Sequence, residues 1–447
     1  MRIPHLTLLP VLAGCGHASH ERAHPNVVLI LVDTLRADAV GAYGSRHATT
    51  PNLDAVAASG MVWEQATSQA AWTVPSVASL FTGVDPQAHH CLRFDVHGAI
   101  SLDTLSPAHD TLAEQFHASG YATAAFIKST VLDASLGYDQ GFGTYQIIDG
   151  DDRAWGHSAR DLNDAAIPWL TAAEAGHEPF FAYLHYMDAH SPYHPPPPYD
   201  TRYDAAYDGP YDGAHMPVVE AVARGAPPGP RDWEHLRGLY DGEIAYWDSE
   251  FGRLYQALDA VGAWRDTVLV VVGDHGEAFF EHHDVFHEDV YQENVHVPLV
   301  MVGPGVPVGR MSGYTQLIDL PPTLVALTGV RPGSRWTGRS QLAGMAAGVA
   351  PGEEVYSEYE DKRSLIEPGG LKLLVGEGQE QLYDLAVDPG ETRDLAASRP
   401  VDVSRLRGEL DARVAAAQRL GRAFVAAPRH ALNDKLVEEL QNLGYLE

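Results

Sequence analysis

Val268-Leu269-Val270-Val271-Val272-Gly273-Asp274-His275-Gly276-Glu277 is the stretch that decides how this chain is read. Its unbroken apolar run is that of a strand buried on both faces of a parallel sheet, and it ends in Asp and His. Val27-Val28-Leu29-Ile30-Leu31-Val32-Asp33 repeats the pattern near the start of the chain. Open α/β sheets bind ligands outside the carboxyl ends of their strands. If these two strands are neighbours, Asp33, Asp274 and His275 converge, and two carboxylates with one imidazole make a site for a divalent cation. Taken singly, each piece reads equally as a helix cap or a turn residue.

The third stretch is Trp72-Thr73-Val74-Pro75-Ser76-Val77-Ala78-Ser79-Leu80-Phe81-Thr82-Gly83. It reads as a loop feeding a helix, with Pro75 in the first turn, where a missing N–H costs nothing. Thr73 at that start faces free backbone N–H groups and the positive end of the helix dipole. A hydroxyl there is well placed to attack an anion, and a metal held by Asp33, Asp274 and His275 would lower its pKa.

Outward from these stretches, strands and helices alternate. Strands are expected at Val27–Val32, Ala122–Ile127, Phe180–Leu184, Val268–Val272 and Pro298–Val302. Helices are expected at Leu53–Ser59, Val74–Phe81, Thr111–Ala118, Tyr246–Val261 and Pro321–Leu327. This is an open α/β pattern. Residues 191–234, rich in Pro, Tyr, Asp and Gly, read as a long loop serving as a lid or a surface insertion. A smaller unit begins near residue 350, with strands around 372–375 and 381–385 and a helix over about 403–425. The division expected is a catalytic domain over 25–348 and a C-terminal subdomain over 349–447.

The 447 residues carry 60 acidic and 30 basic side chains, a net charge of −30, which argues against a nucleic-acid partner. Residues 1–15 open with Met1-Arg2, continue in an apolar run too short to span a bilayer, and end in Leu12-Ala13-Gly14-Cys15. That ending resembles the lipobox of bacterial lipoproteins. It implies export, a lipid on Cys15 and attachment in the bacterial cell envelope, on the periplasmic or outer-membrane face, through a tether over 16–24. Cys91 is then the one remaining thiol, so no disulfide framework is expected.

The motifs together resemble the sulfatase branch of the alkaline phosphatase superfamily. Asn26–Asp38 resembles its opening strand, and Thr50-Pro51-Asn52-Leu53-Asp54 its next helix start. Thr73 through Gly83 lies on the Cys/Ser-x-Pro-x-Arg signature. His185-Tyr186-Met187-Asp188-Ala189-His190-Ser191-Pro192-Tyr193 resembles the His-x-x-Asp-Pro-His-x-Pro-Tyr segment. Gly273–Glu277 with Glu281-His282 and His287 resembles the Asp-His-Gly-Glu…Glu-His block. Leu382-Tyr383-Asp384-Leu385 with Asp388-Pro389-Gly390-Glu391 resembles the last motif. The resemblance spans roughly residues 25–447. It implies a mixed sheet sandwiched by helices, with a C-terminal antiparallel sheet and helix.

The departures bear on chemistry. Sulfatases convert the signature Cys or Ser to formylglycine, whose second hydroxyl expels sulfate. Thr73 cannot follow, because its methyl-bearing Cβ would not yield an aldehyde. Val77 replaces the signature Arg, Thr34 the second Asp of the opening pair, and His287 a frequent Lys. Threonine at this position is the pattern of the superfamily's phosphoesterases and phosphotransferases. The expectation is therefore a metal-dependent hydrolase or transferase of phosphate esters (phosphodiester, phosphonate or head-group phosphate) working through Thr73. Two alternatives stand beside it: a sulfuric ester hydrolase without formylglycine, and a surface lipoprotein that binds anionic glycans with little catalysis.

The resemblance assigns Asp33, Asp274, His275 and Thr73 to one divalent metal (Mn, Zn, Mg or Ca), with no formylglycine. It assigns His190, Lys128 and His287 to catalysis and Thr130 and Arg93 to substrate binding. Lys128 also reads as a surface lysine. His185 and Asp188 read as supports of the ligands or a second metal site, and His282 and His283 are ambiguous.

Overall fold

The computed structural model describes residues 24–92, 94–95, 100–148, 158–425, 427–432 and 437. The expected signal peptide, Cys15, Arg93 and all of the tether except His24 lie outside the described residues. The main sheet has eight strands: β1 (Asn26–Val32), β2 (Met61–Thr67), β3 (Ala122–Ile127), β4 (Thr144–Ile147), β5 (Phe180–Tyr186), β6 (Thr267–Gly273), β7 (His296–Val302) and β8 (Gly309–Gln316). Their order is β8-β2-β7-β6-β1-β5-β3-β4. β7 is antiparallel to both neighbours, while every other pairing in the sheet is parallel.

β1 lies at the middle of this sheet, and none of its residues has measurable exposure. Val27, Leu29 and Leu31 enter the core on one face, and Val28, Ile30 and Val32 enter the core on the other. An unbroken apolar run is what such two-sided burial requires. The first face carries helix α1 (Thr73–Thr82), buried along its whole length. The second carries α2 (Ser158–Gly176) and α3 (Pro230–Asp259).

The sequence reading missed β2, β4 and β8. β2 carries the half-buried polar pair Glu64-Gln65 at its centre, and β4 and β8 are edge strands with exposed or half-exposed residues. None presents a continuous apolar run. The expected loop over 191–234 is also more ordered than its composition suggests. It contains a helix, His215–Ala223, and α3 begins inside it at Pro230 rather than at Tyr246. Asp232 accepts a hydrogen bond from the Gly229 N–H at 2.9 Å and so caps α3. Buried Asp241, Glu243 and Asp248 break the apolar periodicity that would have revealed the first half of this helix.

The C-terminal unit is an antiparallel meander, β9 (Val355–Tyr359), β10 (Lys362–Ile366), β11 (Leu371–Gly376) and β12 (Gln379–Asp384). Helix α4 (Pro400–Gly421) packs Val403, Leu406 and Leu410 on one face of it. The other face packs against Ala71, Val290, Tyr291 and Val295 of the larger unit. β9 continues this contact through the backbone. The Glu358 N–H donates to the Gln69 carbonyl at 3.0 Å, the Ala71 N–H donates to the Glu358 carbonyl at 3.3 Å, and the Ser357 hydroxyl donates to the Ser68 carbonyl at 2.5 Å. Residues 68–71 lead directly into Thr73. No helix among the described residues is long and apolar enough to cross a membrane.

A buried ion pair fixes the same junction. Lys372 Nζ lies 2.7 Å from Glu391 Oε1, both side chains have no exposure, and Nζ also donates to the Val290 carbonyl at 2.7 Å. Glu391 Oε2 accepts from the Gln292 N–H at 2.6 Å. Removing one partner strands a buried charge. We expect Glu391→Ala to lose about 3–5 kcal/mol in denaturant unfolding, and Lys372→Met added to it to recover part of that loss.

Candidate active site

β1 and β6 are parallel neighbours in the register Val32↔Gly273, so Asp33 and Asp274 leave the sheet side by side at its carboxyl edge. The Asp33 N–H still bonds the Tyr186 carbonyl of β5 at 2.9 Å, which anchors the first residue beyond the strand. Thr34 then turns with φ 53° and aims its N–H at Asp274 Oδ1, 3.2 Å away. The His275 N–H bonds the same oxygen at 2.8 Å. Gly276 allows a close pass, since a Cβ there would lie 1.9 Å from the Glu293 carbonyl oxygen.

The remaining oxygens meet at one point. Asp33 Oδ1 and Asp274 Oδ2 are buried and take no hydrogen bond among the described residues. They lie 3.5 and 3.4 Å from His275 Nε2. His275 Nδ1 donates to the Gly276 carbonyl at 3.0 Å, which leaves the Nε2 lone pair facing both carboxylates. Among the described residues this is the group whose side chains could hold a metal ion. Thr73 joins it from the start of α1, with Oγ1 3.2 Å from Asp33 Oδ2 and 3.4 Å from His275 Nε2.

Electrostatics support the fit. Burial and the neighbouring Asp33 push the Asp274 carboxyl well above its usual range. Burial also opposes ionisation of Asp33, but the His185 hydrogen bond and the nearby His190 and His275 hold it well below the usual range. Two adjacent buried carboxylates cannot both ionise without a cation. Burial and His287 lower His275 to about 3, which keeps its ring neutral. Two carboxylate oxygens without hydrogen bonds, an oriented neutral imidazole and a hydroxyl suit a divalent cation.

α1 is held so that its first residue stays in place. Ser76 Oγ donates to the Asp274 carbonyl at 2.7 Å, and Tyr138 donates to the Val74 carbonyl at 2.9 Å. Gly83, at φ 61°, ends the helix in the left-handed conformation, and its N–H bonds the Ser79 carbonyl at 2.8 Å. Val77, where the sulfatase signature carries Arg, is fully buried in the apolar core.

Three imidazoles surround the group. His287 lies 4.8 Å from His275 and 5.2 Å from His190, measured between ring centroids. Burial disfavours charge on His287, but its Nδ1 donates to Glu277 Oε1 at 3.2 Å, and that carboxylate raises its pKa. Burial lowers His190, whose Nδ1 donates to the Ser191 carbonyl at 2.5 Å. Nε2 is therefore the ring atom of neutral His190 that can accept a proton.

Lys128 stands just beyond β3, and its N–H bonds the His185 carbonyl at 3.1 Å. It is mostly buried, not a surface lysine. Thr130 follows at a short turn, its hydroxyl without a hydrogen bond among the described residues. Arg93 lies outside the described residues. Among the described residues His185 and Asp188 belong to no second group that could hold a metal; His185 Nε2 donates to Asp33 Oδ2 at 3.1 Å, and its Nδ1 meets the Tyr183 hydroxyl at 2.7 Å. His282 stacks on Tyr291 and meets Glu293 Oε1 at 2.6 Å and the Glu391 carbonyl at 3.2 Å, so it belongs to the junction with the C-terminal unit.

The sequence reading gave no role to Glu277, which holds His287, although it ends the opening motif. It also missed His215, whose Nδ1 lies 3.0 Å from Ser191 Oγ. His215 begins a helix inside the segment read as a loop, and the apolar Met216-Pro217-Val218 after it was the available signal.

A wide sheet carrying a metal-fitting Asp–Asp–His group and a hydroxyl at a helix start defines an ester hydrolase of the sulfatase-like type, a class that works with a divalent metal. The chain belongs to the sulfatase family, whose model, described as Sulfatase, matches residues 25–330. It is 25% identical over 442 residues to the Delta 4,5-hexuronate-2-O-sulfatase of Bacteroides thetaiotaomicron, covering 86% of this chain and 87% of that protein. To the arylsulfatase of Clostridium perfringens it is 24% identical over 442 residues, covering 84% and 90%. In fold it is similar to the phosphonate monoester hydrolase of Agrobacterium radiobacter, with a TM-score of 0.69 and 23% identity over 88% of this chain and 96% of that one.

Metal removal is the direct check on the group. A chelator should lower the thermal midpoint, since a ligand at a thousandfold excess over Kd contributes about 4 kcal/mol of stability. Asp274→Ala should abolish both that shift and the metal found by elemental analysis.

Proposed function

We propose that this protein hydrolyses or transfers phosphate esters through a covalent intermediate on Thr73. The observation that carries this reading is the threonine itself. Thr73 contacts two of the three members of the metal-fitting group, in the position where the family's signature places a formylglycine precursor. Its β-methyl bars oxidation to an aldehyde. A sulfate on Thr73 would lack the second hydroxyl that expels sulfate from formylglycine, whereas a phosphate on Thr73 is open to in-line attack by water.

Asp33, Asp274 and His275, with Thr73, would hold the divalent cation. When bound, it supplies charge that favours the alkoxide of Thr73 and offsets negative charge on the transferred group. The Thr73 oxygen forms a bond to phosphorus while the bond from phosphorus to the alcohol oxygen breaks. Neutral His190 takes the Thr73 hydroxyl proton on Nε2 and returns it to the alcohol as that leaves. In the second step an oxygen of water or an acceptor alcohol bonds phosphorus and gives its proton to His190, the bond from phosphorus to the Thr73 oxygen breaks, and His190 returns the proton to that oxygen. Lys128 and protonated His287 neutralise the phosphoryl oxygens, and Thr130 donates to the same group. Arg93 is assigned there as well.

The sulfate reading rests on the similarity to the two sulfatases named above. Residues 1–15 are proposed as a lipoprotein signal with Cys15 as the lipid anchor. The protein is then held in the bacterial envelope by the tether over 16–24, with residues 25–348 as the catalytic domain and 349–447 as the C-terminal subdomain.

Parallel assays on an aryl phosphate, a phosphodiester, a phosphonate ester and an aryl sulfate separate the two readings. Phosphoryl turnover should exceed sulfuryl turnover, and faster sulfate hydrolysis would overturn the proposal. Thr73→Ala should lose at least about a thousandfold in kcat, on the scale of a lost nucleophile. Acid-quenched wild-type enzyme should show phosphothreonine at position 73 by peptide mass spectrometry.

A further inference from the structure

The segment 191–213 returns to the site by a fixed path. Tyr193 N–H bonds the Gly213 carbonyl at 2.9 Å. Gly213 has φ 95°, and a Cβ there would lie 1.9 Å from the Tyr193 carbonyl oxygen, so only glycine allows this approach. The helix that follows buries Val218 in the core on the second face of the sheet. Its first residue, His215, is thereby delivered beside the catalytic histidines on a supported element rather than a loose loop.

His215 is more than nine-tenths buried. One face of its ring stacks on Phe286 with centroids 4.0 Å apart, and Nδ1 meets Ser191 Oγ at 3.0 Å. Nε2 is then the one polar edge left, and it takes no hydrogen bond among the described residues. His190 and His287 lie close enough to act on it electrostatically. The same two contacts tie it to their neighbours, since Ser191 also receives His190 and Phe286 precedes His287.

We propose that His215 is a specificity-determining residue whose Nε2 hydrogen-bonds a hydroxyl on the alcohol part of the ester. This rests on the Thr73-centred reading of the site. Thr73, Lys128 and His287 are assigned to the reacting group, so a ring tied to Ser191 beside His190 and to Phe286 beside His287 is left for what the reacting group is attached to. Burial, with His190 and His287 nearby, lowers His215 to about 3, so it offers one neutral hydrogen bond and no charge. That suits a polyhydroxylated alcohol, such as a glyceryl or glycosyl group, rather than a second anion. A polar group built to meet a substrate hydroxyl discriminates strongly against an alcohol that lacks it.

The test compares a nitrophenyl ester with a glyceryl or glucosyl ester of the same acid, whichever of phosphate and sulfate the wild type turns over faster. The choice of acid thus cannot decide the outcome, and Thr73→Ala separately tests the underlying site. His215→Phe preserves the stack on Phe286. It should lower the ratio of kcat/KM for the hydroxylated ester over the aryl ester by about tenfold, chiefly through KM. His215→Gln should restore part of the ratio, and Ser191→Ala should lower it less. An unchanged ratio in His215→Phe, or in His215→Gln and Ser191→Ala where the Phe variant does not fold, overturns the proposal.

Discussion

Two carboxylates placed side by side in the interior are the constraint around which the rest is arranged. Parallel pairing of β1 with β6 in the register Val32↔Gly273 leaves Asp33 and Asp274 no distance in which to avoid each other. Both side chains are fully buried, so their repulsion is not screened as it would be at a surface. Each has one oxygen satisfied by the protein and one left for a shared cation. His275, Thr73 and His185 are positioned by the same pair, and so are the loops that carry them. The site is a local instability that the fold imposes and a bound charge relieves.

The histidines divide by what holds their Nδ1. Backbone carbonyls hold the Nδ1 of His275 and His190, and burial favours the neutral form of both rings. A carboxylate holds His287 and favours its charged form. One side-chain type is thus held in both neutral and charge-favouring settings beside the same group. Backbone geometry at Ser191 and Gly276 does as much to assign these roles as the rings themselves.

The elements legible in sequence were those whose burial is uniform. β1, β3, β5, β6 and most of β7 announce themselves as apolar runs because both faces are covered. β2 and β8 do not, because polar residues sit where the strand meets solvent or an edge. The metal-fitting group was legible because its members end legible strands and recur in motifs. His215 was not, because it depends on a path set by Gly213 and on a helix inside a segment whose Pro and Gly content reads as loop. Register, which brings Asp33 beside Asp274, could be stated from sequence as a condition; the sheet order meets it.

The backbone hydrogen bonds between β9 and residues 68–71 set the order in which the enzyme becomes whole. Domains tend to fold from the N-terminus as the chain emerges. Here the segment entering Thr73 takes its partners from Ser357 and Glu358, nearly three hundred residues later in the chain. Most of the sheet, with Asp33 and Asp274 on it, is made well before the strand that steadies the hydroxyl. A nascent or clipped form lacks this brace on the segment that enters Thr73.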